Sequence, residues 1–144
     1  MTVFVASVIG DPTVNNLYSH IMSVCEELGH KAVRIDLTEP ESTITEAILK
    51  TIAESKAVMA DLTFGRPSVY FEAGFAHGLG IPLLLTCRKD HLRGIEDHLR
   101  VHFDLEQYKI SFWQSVNSGD VLWEDQMDPK TRLRALLDLK TKTE

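Results

Sequence analysis

Glu72 is the residue whose type and setting point most directly to chemistry. It sits among Tyr70, Phe71, Ala73 and Phe75. A carboxylate in apolar company is costly unless it is paired or protonated. The plain alternative is a solvated glutamate that complements the helix dipole. The stretch before it, Ala60-Asp61-Leu62-Thr63-Phe64-Gly65-Arg66-Pro67-Ser68, reads as a buried strand ending at Asp61, then a turn. A helix follows, capped by Ser68, with Glu72 in about its first turn. Asp61 can hold a ligand hydroxyl or close the turn after it. Arg66 can pair with a phosphate or carboxylate, or stay in solvent. The helix start at Ser68 doubles as an anion site. The junction Ala6-Ser7-Val8-Ile9-Gly10-Asp11 offers an opposite wall, with Ser7 at a strand tip and Gly10 allowing a tight turn. Its glycine pattern is neither that of a dinucleotide loop nor that of a Walker loop. Gly74 lies inside the helix, where glycine costs about 1 kcal/mol relative to alanine. That implies close approach of a ligand or backbone, or tight packing on the sheet.

The elements that position these residues follow from periodicity. Thr2 to Ser7 is a valine-rich strand, and Lys31 to Ile35 is a second. Between them Val14, Leu17, Tyr18, Ile21, Cys25 and Leu28 recur at helical spacing, with Gly29 as a C-cap. Thr43 to Glu54 is a helix with Thr43 and Glu46 at capping-box spacing. Ala57 to Leu62 and Ile81 to Cys87 are apolar strands, Gln107 to Phe112 is a short fifth, and Pro129 to Leu139 is a closing helix. Arg88 to His102 is charged and reads as a loop with a short helix. Strands alternate with helices and are apolar throughout, so both sheet faces must be covered. The fold class is α/β with a mainly parallel five-stranded sheet in three layers, in a single domain over 1–144. Its ligand edge is the one where the strands end.

Bulk properties narrow the partners. The chain has 144 residues and a net charge of −6, which argues against a nucleic-acid backbone as partner. No apolar run is long enough for a membrane, and the start lacks a signal-peptide pattern. Cys25 and Cys87 are far apart and read as small buried hydrophobes. The six histidines show no metal-ligand spacing. A reducing, cytoplasmic setting without metal or cofactor is expected.

The run from Ala60-Asp61-Leu62-Thr63 through Ser68-Val69-Tyr70-Phe71-Glu72-Ala73-Gly74-Phe75-Ala76-His77-Gly78-Leu79-Gly80-Ile81-Pro82 resembles a stretch of nucleoside 2-deoxyribosyltransferase-like and TIR-like proteins. Phe103-Asp104-Leu105 with Tyr108 is similar to a later segment of their small bacterial members. The resemblance reaches to about Trp113. It implies a flavodoxin-like three-layer sandwich and cleavage of the N-glycosidic bond of a nucleoside, nucleotide or NAD-like substrate, by hydrolysis or transfer. Glu72 would then act at the anomeric carbon, where an oxocarbenium-like transition state wants a carboxylate beneath it. Asp61, Arg66 and Ser68 would hold sugar or phosphate, with Ser7 and Gly10 on the other wall. A homo-oligomer is implied as well.

Three departures accompany the resemblance. The aspartate that helps protonate the base in such families has no counterpart at Ala47-Ile48-Leu49. The usual asparagine before the helix gives way to Arg66-Pro67-Ser68, and the first strand lacks an aromatic at its tip. These gaps weigh against transfer and keep open a non-catalytic nucleotide-binding sensor or signalling domain. The aromatics Phe112, Trp113 and Trp123 raise a further option, a partner domain in a larger complex, although packing under the C-terminal segment explains them too.

Overall fold

The computed structural model describes residues 1–35, 41–91, 110–116, 119–124, 130–135 and 137, with backbone alone for 41–45. Six strands form one sheet: β1 (Thr2–Ala6), β2 (Lys31–Val33), β3 (Ala57–Asp61), β4 (Leu83–Arg88), β5 (Ile110–Ser115) and β6 (Val121–Trp123). Their order is β2-β1-β3-β4-β5-β6. The first five are parallel, and β6 returns antiparallel, pairing Trp123 with Trp113. This is the flavodoxin-like order with one strand more than expected. β6 is only three residues long and follows the tight turn at Gly119, so no periodicity betrays it.

Two apolar layers cover the sheet, and strand parity assigns each residue to one of them. Phe4, Ala6, Val58, Ala60 and Leu85 face α2 (Glu41–Glu54) and α3 (Pro67–Gly78). Val3, Val5, Ala57, Met59, Leu84 and Trp113 face α1 (Pro12–Glu27) and the helical segment 130–135, which brings in Leu133. The stripe Val14, Leu17, Ile21, Val24 and Cys25 is buried on α1. Both cysteines are free and buried. Trp113 is 1% exposed, so it is core and no interaction surface. Among the described residues no helix is long and apolar enough to cross a membrane.

Proline sets the starts of α1 and α3. α1 begins at Pro12, and the Asp11 carboxylate accepts from the Thr13 and Val14 amides at 3.0 Å each. α3 begins at Pro67, which makes Arg66 its N-cap, without a side-chain hydrogen bond. Ser68 is therefore not the cap. Proline has no N–H to satisfy and its φ is already helical, so it takes the first helical position. Glu72 falls accordingly in the second turn. α2 starts at Glu41, so Thr43 lies within the helix and the expected capping box does not form its start. Residues 107–109, Phe103-Asp104-Leu105 and Tyr108 lie outside the described residues, as does the charged segment from 92 to 102.

Gly74 meets neither another stretch of backbone nor tight packing on the sheet. A Cβ built there meets nothing within 4 Å. Replacement by alanine is expected to stabilise the fold by about 0.5–1 kcal/mol, through helix propensity alone. A higher urea midpoint at unchanged m-value is the predicted outcome, and a lower midpoint would contradict the open space seen here.

Candidate functional site

Strand order reverses direction between β1 and β3, since the chain moves outward to β2 before crossing back. Crevices at such switch points are the usual ligand sites of parallel sheets. A cavity of about 380 Å³ opens at this edge. On one side stand Ser7, Val8 and Ile9 beyond β1, Arg34 and Ile35 beyond β2, and Ile48 from α2. On the other side α3 contributes Arg66, Ser68 and Glu72. Phe4 and Val5 close the space between.

Four of the six residues singled out from the sequence thus meet here: Ser7, Arg66, Ser68 and Glu72. The Glu72 carboxyl is half-buried and its pKa is pushed up to about 7 by that burial. Val69, Ala73 and Ala76 of the same helix are buried against the sheet. Arg66 and Ser68 are exposed, at the mouth of the cavity. Ser7 is deeper, and its hydroxyl is enclosed with no hydrogen-bond partner among the described residues.

Gly10 and Asp61 are not in the cavity wall. Gly10 has φ 100°, a left-handed turn that Gly tolerates, and its neighbour Ile9 faces the ligand space instead. Asp61 shares strand parity with Ala57 and Met59, so it points to the α1 face of the sheet, away from α3. There it is fully buried. Its carboxylate accepts from the Thr86 hydroxyl at 2.7 Å, the Trp113 indole at 2.7 Å and the Thr63 amide at 3.2 Å. Burial pushes its pKa up, and these donors oppose that rise. Its observed contacts are those of a turn-closing and sheet-bridging group. His77 is exposed and absent from the cavity wall.

The rim of the edge is fastened by Arg88, at the end of β4. Its guanidinium donates to Thr13 at 2.9 Å and to Asp90 at 2.7 Å. It also lies 4.9 Å over the Phe64 ring and 3.8 Å from Asp11. Phe64 has φ 70°, an uncommon value for a bulky residue. The Arg88 contacts join the turns after β1, β3 and β4 into one unit.

Sequence reasoning passed over Arg34. It lines the cavity just past β2, donates to Asn15 at 3.3 Å and lies 4.2 Å over the Tyr18 ring. One terminal nitrogen is enclosed without a partner among the described residues. A basic residue at the carboxyl tip of a strand was the available signal, on the same edge as Ser7. The site's binding potential is towards anions and acceptors, through Arg34, Arg66 and the two serines. Among the described residues no three His, Cys, Asp or Glu side chains gather as a metal cluster.

Comparison with solved structures establishes the fold. The CMP N-glycosidase BcmB of Clostridium botulinum superposes with TM-score 0.60 over 94% of this chain and 99% of its own, at 12% identity. A 2-deoxyribosyltransferase of Bacillus psychrosaccharolyticus gives 0.53 over 76% and 93%, at 19% identity. A conserved protein of Enterococcus faecalis V583 gives 0.53 over 68% and 70%, at 16% identity. No protein-family model and no curated protein sequence matches the chain. The chain therefore has the nucleoside deoxyribosyltransferase-like fold. The two neighbours of named activity are a glycosidase and a transferase, which gives the TIR-like side of the resemblance no support.

Proposed function

We propose that this chain cleaves the N-glycosidic bond of a nucleoside or nucleotide, with Glu72 at the anomeric carbon. The observation that carries the reading is a half-buried glutamate in the wall of the switch-point cavity, on the helix that follows β3. Two neighbours of the same fold are described as a CMP N-glycosidase and a 2-deoxyribosyltransferase, in keeping with that chemistry. In this reading Glu72 attacks or stabilises the oxocarbenium-like sugar, and Arg66 with Ser68 takes a phosphate at the mouth. Ser7 binds on the opposite wall. Hydrolysis is favoured over transfer, because the residues that the resemblance associates with transfer are missing.

The test is chromatographic release of free base from a panel of nucleosides, nucleoside monophosphates and NAD. The pH profile adds a mechanistic check. A glutamate acting as an anion must be deprotonated, and its pKa is raised to about 7. kcat/KM is therefore expected to rise with pH through about 7 and level off above it. A profile that falls over that range would instead make the protonated Glu72 the active form.

A second reading, binding without turnover, is favoured by one observation. Ile48 occupies the wall near where the resemblance would place a base-protonating aspartate. Tight nucleotide binding with no base released would establish it.

A further inference from the structure

We propose that Arg34 is the leaving-group residue of this site, stabilising the departing base as an anion where a carboxylic acid would otherwise protonate it. The proposal rests on the N-glycosidase reading above. Three polar side-chain atoms among the described residues are enclosed with no hydrogen-bond partner, and two of them, a terminal nitrogen of Arg34 and the Ser7 hydroxyl, belong to residues of this one cavity. Buried polar groups are rarely left so without a reason, and an absent ligand is one. The guanidinium is held by the Asn15 side-chain amide oxygen, which accepts from one terminal nitrogen, and by the Tyr18 ring, so its position is restricted before anything binds.

The surroundings fit a base. Ile9, Ile35 and Ile48 supply apolar contact for the faces of a flat ring, while Ser7 and Arg34 offer hydrogen bonds to its edge. The sugar would then lie between this slot and Glu72, with a phosphate towards Arg66. A guanidinium only donates, and it keeps its proton at any working pH. Its partner must therefore be an acceptor, and the O2 of a pyrimidine is the acceptor beside the scissile nitrogen. When the C1′–N1 bond breaks, its electron pair leaves with the ring and spreads onto O2. The Glu72 carboxylate bonds to C1′ or shields it until water arrives. Water then delivers hydroxide to the sugar and its proton to the base anion, which restores the carboxylate.

The experiment compares Arg34→Met with wild type on uridine and cytidine 5′-monophosphates, and on 5-fluorouridine 5′-monophosphate, whose base is a more acidic leaving group. Loss of one preorganised donor lowers kcat by about 100-fold or more in comparable sites. That loss is expected with the uridine nucleotide, and it should shrink to about tenfold or less with the fluorinated one, because an acidic base needs less help. Arg34→Lys, which keeps the charge, should lie between. A partly unfolded variant slows both substrates alike and leaves their ratio unchanged. Equal losses on both substrates, a loss confined to KM, or wild-type activity on purine nucleotides alone would overturn the proposal. If Arg34→Met keeps the wild-type kcat while Glu72→Gln is inactive, the leaving-group role fails and the N-glycosidase reading survives. If wild type releases no base from these or from purine nucleotides, both fail together.

Discussion

Glu72→Gln is expected to abolish base release, by about 10³-fold or more, and at the same time to make the fold more stable at pH 8. The two effects have one cause. Folding places the carboxyl in a setting that disfavours its charge, raising its pKa from 4.5 to about 7. The folded state thus holds the proton more tightly than the unfolded state. The stability from that proton is complete below about pH 4.5 and is lost as pH rises to about 7, above which a constant penalty remains. The full linkage would be about 3 kcal/mol, and because the side chain is partly exposed solvent screening brings it to about 1–2 kcal/mol. Glutamine has no charge to desolvate, so the variant should gain that amount at pH 8 and nothing below pH 4.5. Urea unfolding at the two pH values measures it. A variant that is inactive and also less stable at pH 8 would show that Glu72 is held by partners and is not merely desolvated. A variant within tenfold of wild-type activity would remove Glu72 from the chemistry.

The second large effect is structural. Asp61→Ala should destabilise the fold by about 3–5 kcal/mol, since it strands the Thr86 hydroxyl, the Trp113 indole and the Thr63 amide in a dry interior. Asp61→Asn should be milder, about 1–3 kcal/mol. Its amide oxygen can still accept from Thr86 and Trp113, which share one carboxylate oxygen, but its NH₂ then faces the Thr63 N–H. The order of the two variants is the sharper test, read as chemical midpoints with comparable m-values. Similar losses in both would mean that the cost comes from packing and not from the donors. Activity per folded molecule should persist in the asparagine variant, because Asp61 lies on the far side of the sheet from α3.

Much of this arrangement was legible in the chain itself. The spacing of Val14, Leu17, Ile21 and Cys25 marks α1, and the unbroken apolar runs around Val5 and Met59 mark strands covered on both faces. Glu72 could be placed on α3 near the ligand edge, because a strand, a turn and a helix are all written within eighteen residues of one another. Asp61 shows where local reading stops. Its parity with Met59 already points to the α1 side, but its partner Trp113 lies fifty-two positions away, and no local pattern announces that pairing. Ser68 was misread because two start signals compete one residue apart and Pro67 wins. Arg34 carries a weaker signal, for a different reason. A charged side chain at the end of an edge strand is ordinarily solvated, and it is Asn15 and Tyr18 of α1, together with the cavity shared with Ser7 to Ile9, that draw it in.

The outermost strands, β2 and β6, are each three residues long. A sheet margin is where one protein can recruit another by backbone pairing, and a brief one offers few amides to a newcomer. Open-ended stacking of molecules through these margins is thereby discouraged, even though the inner strands are rich in valine and leucine and would propagate readily if laid bare. Should copies of this chain meet, these two margins give them little backbone to pair with.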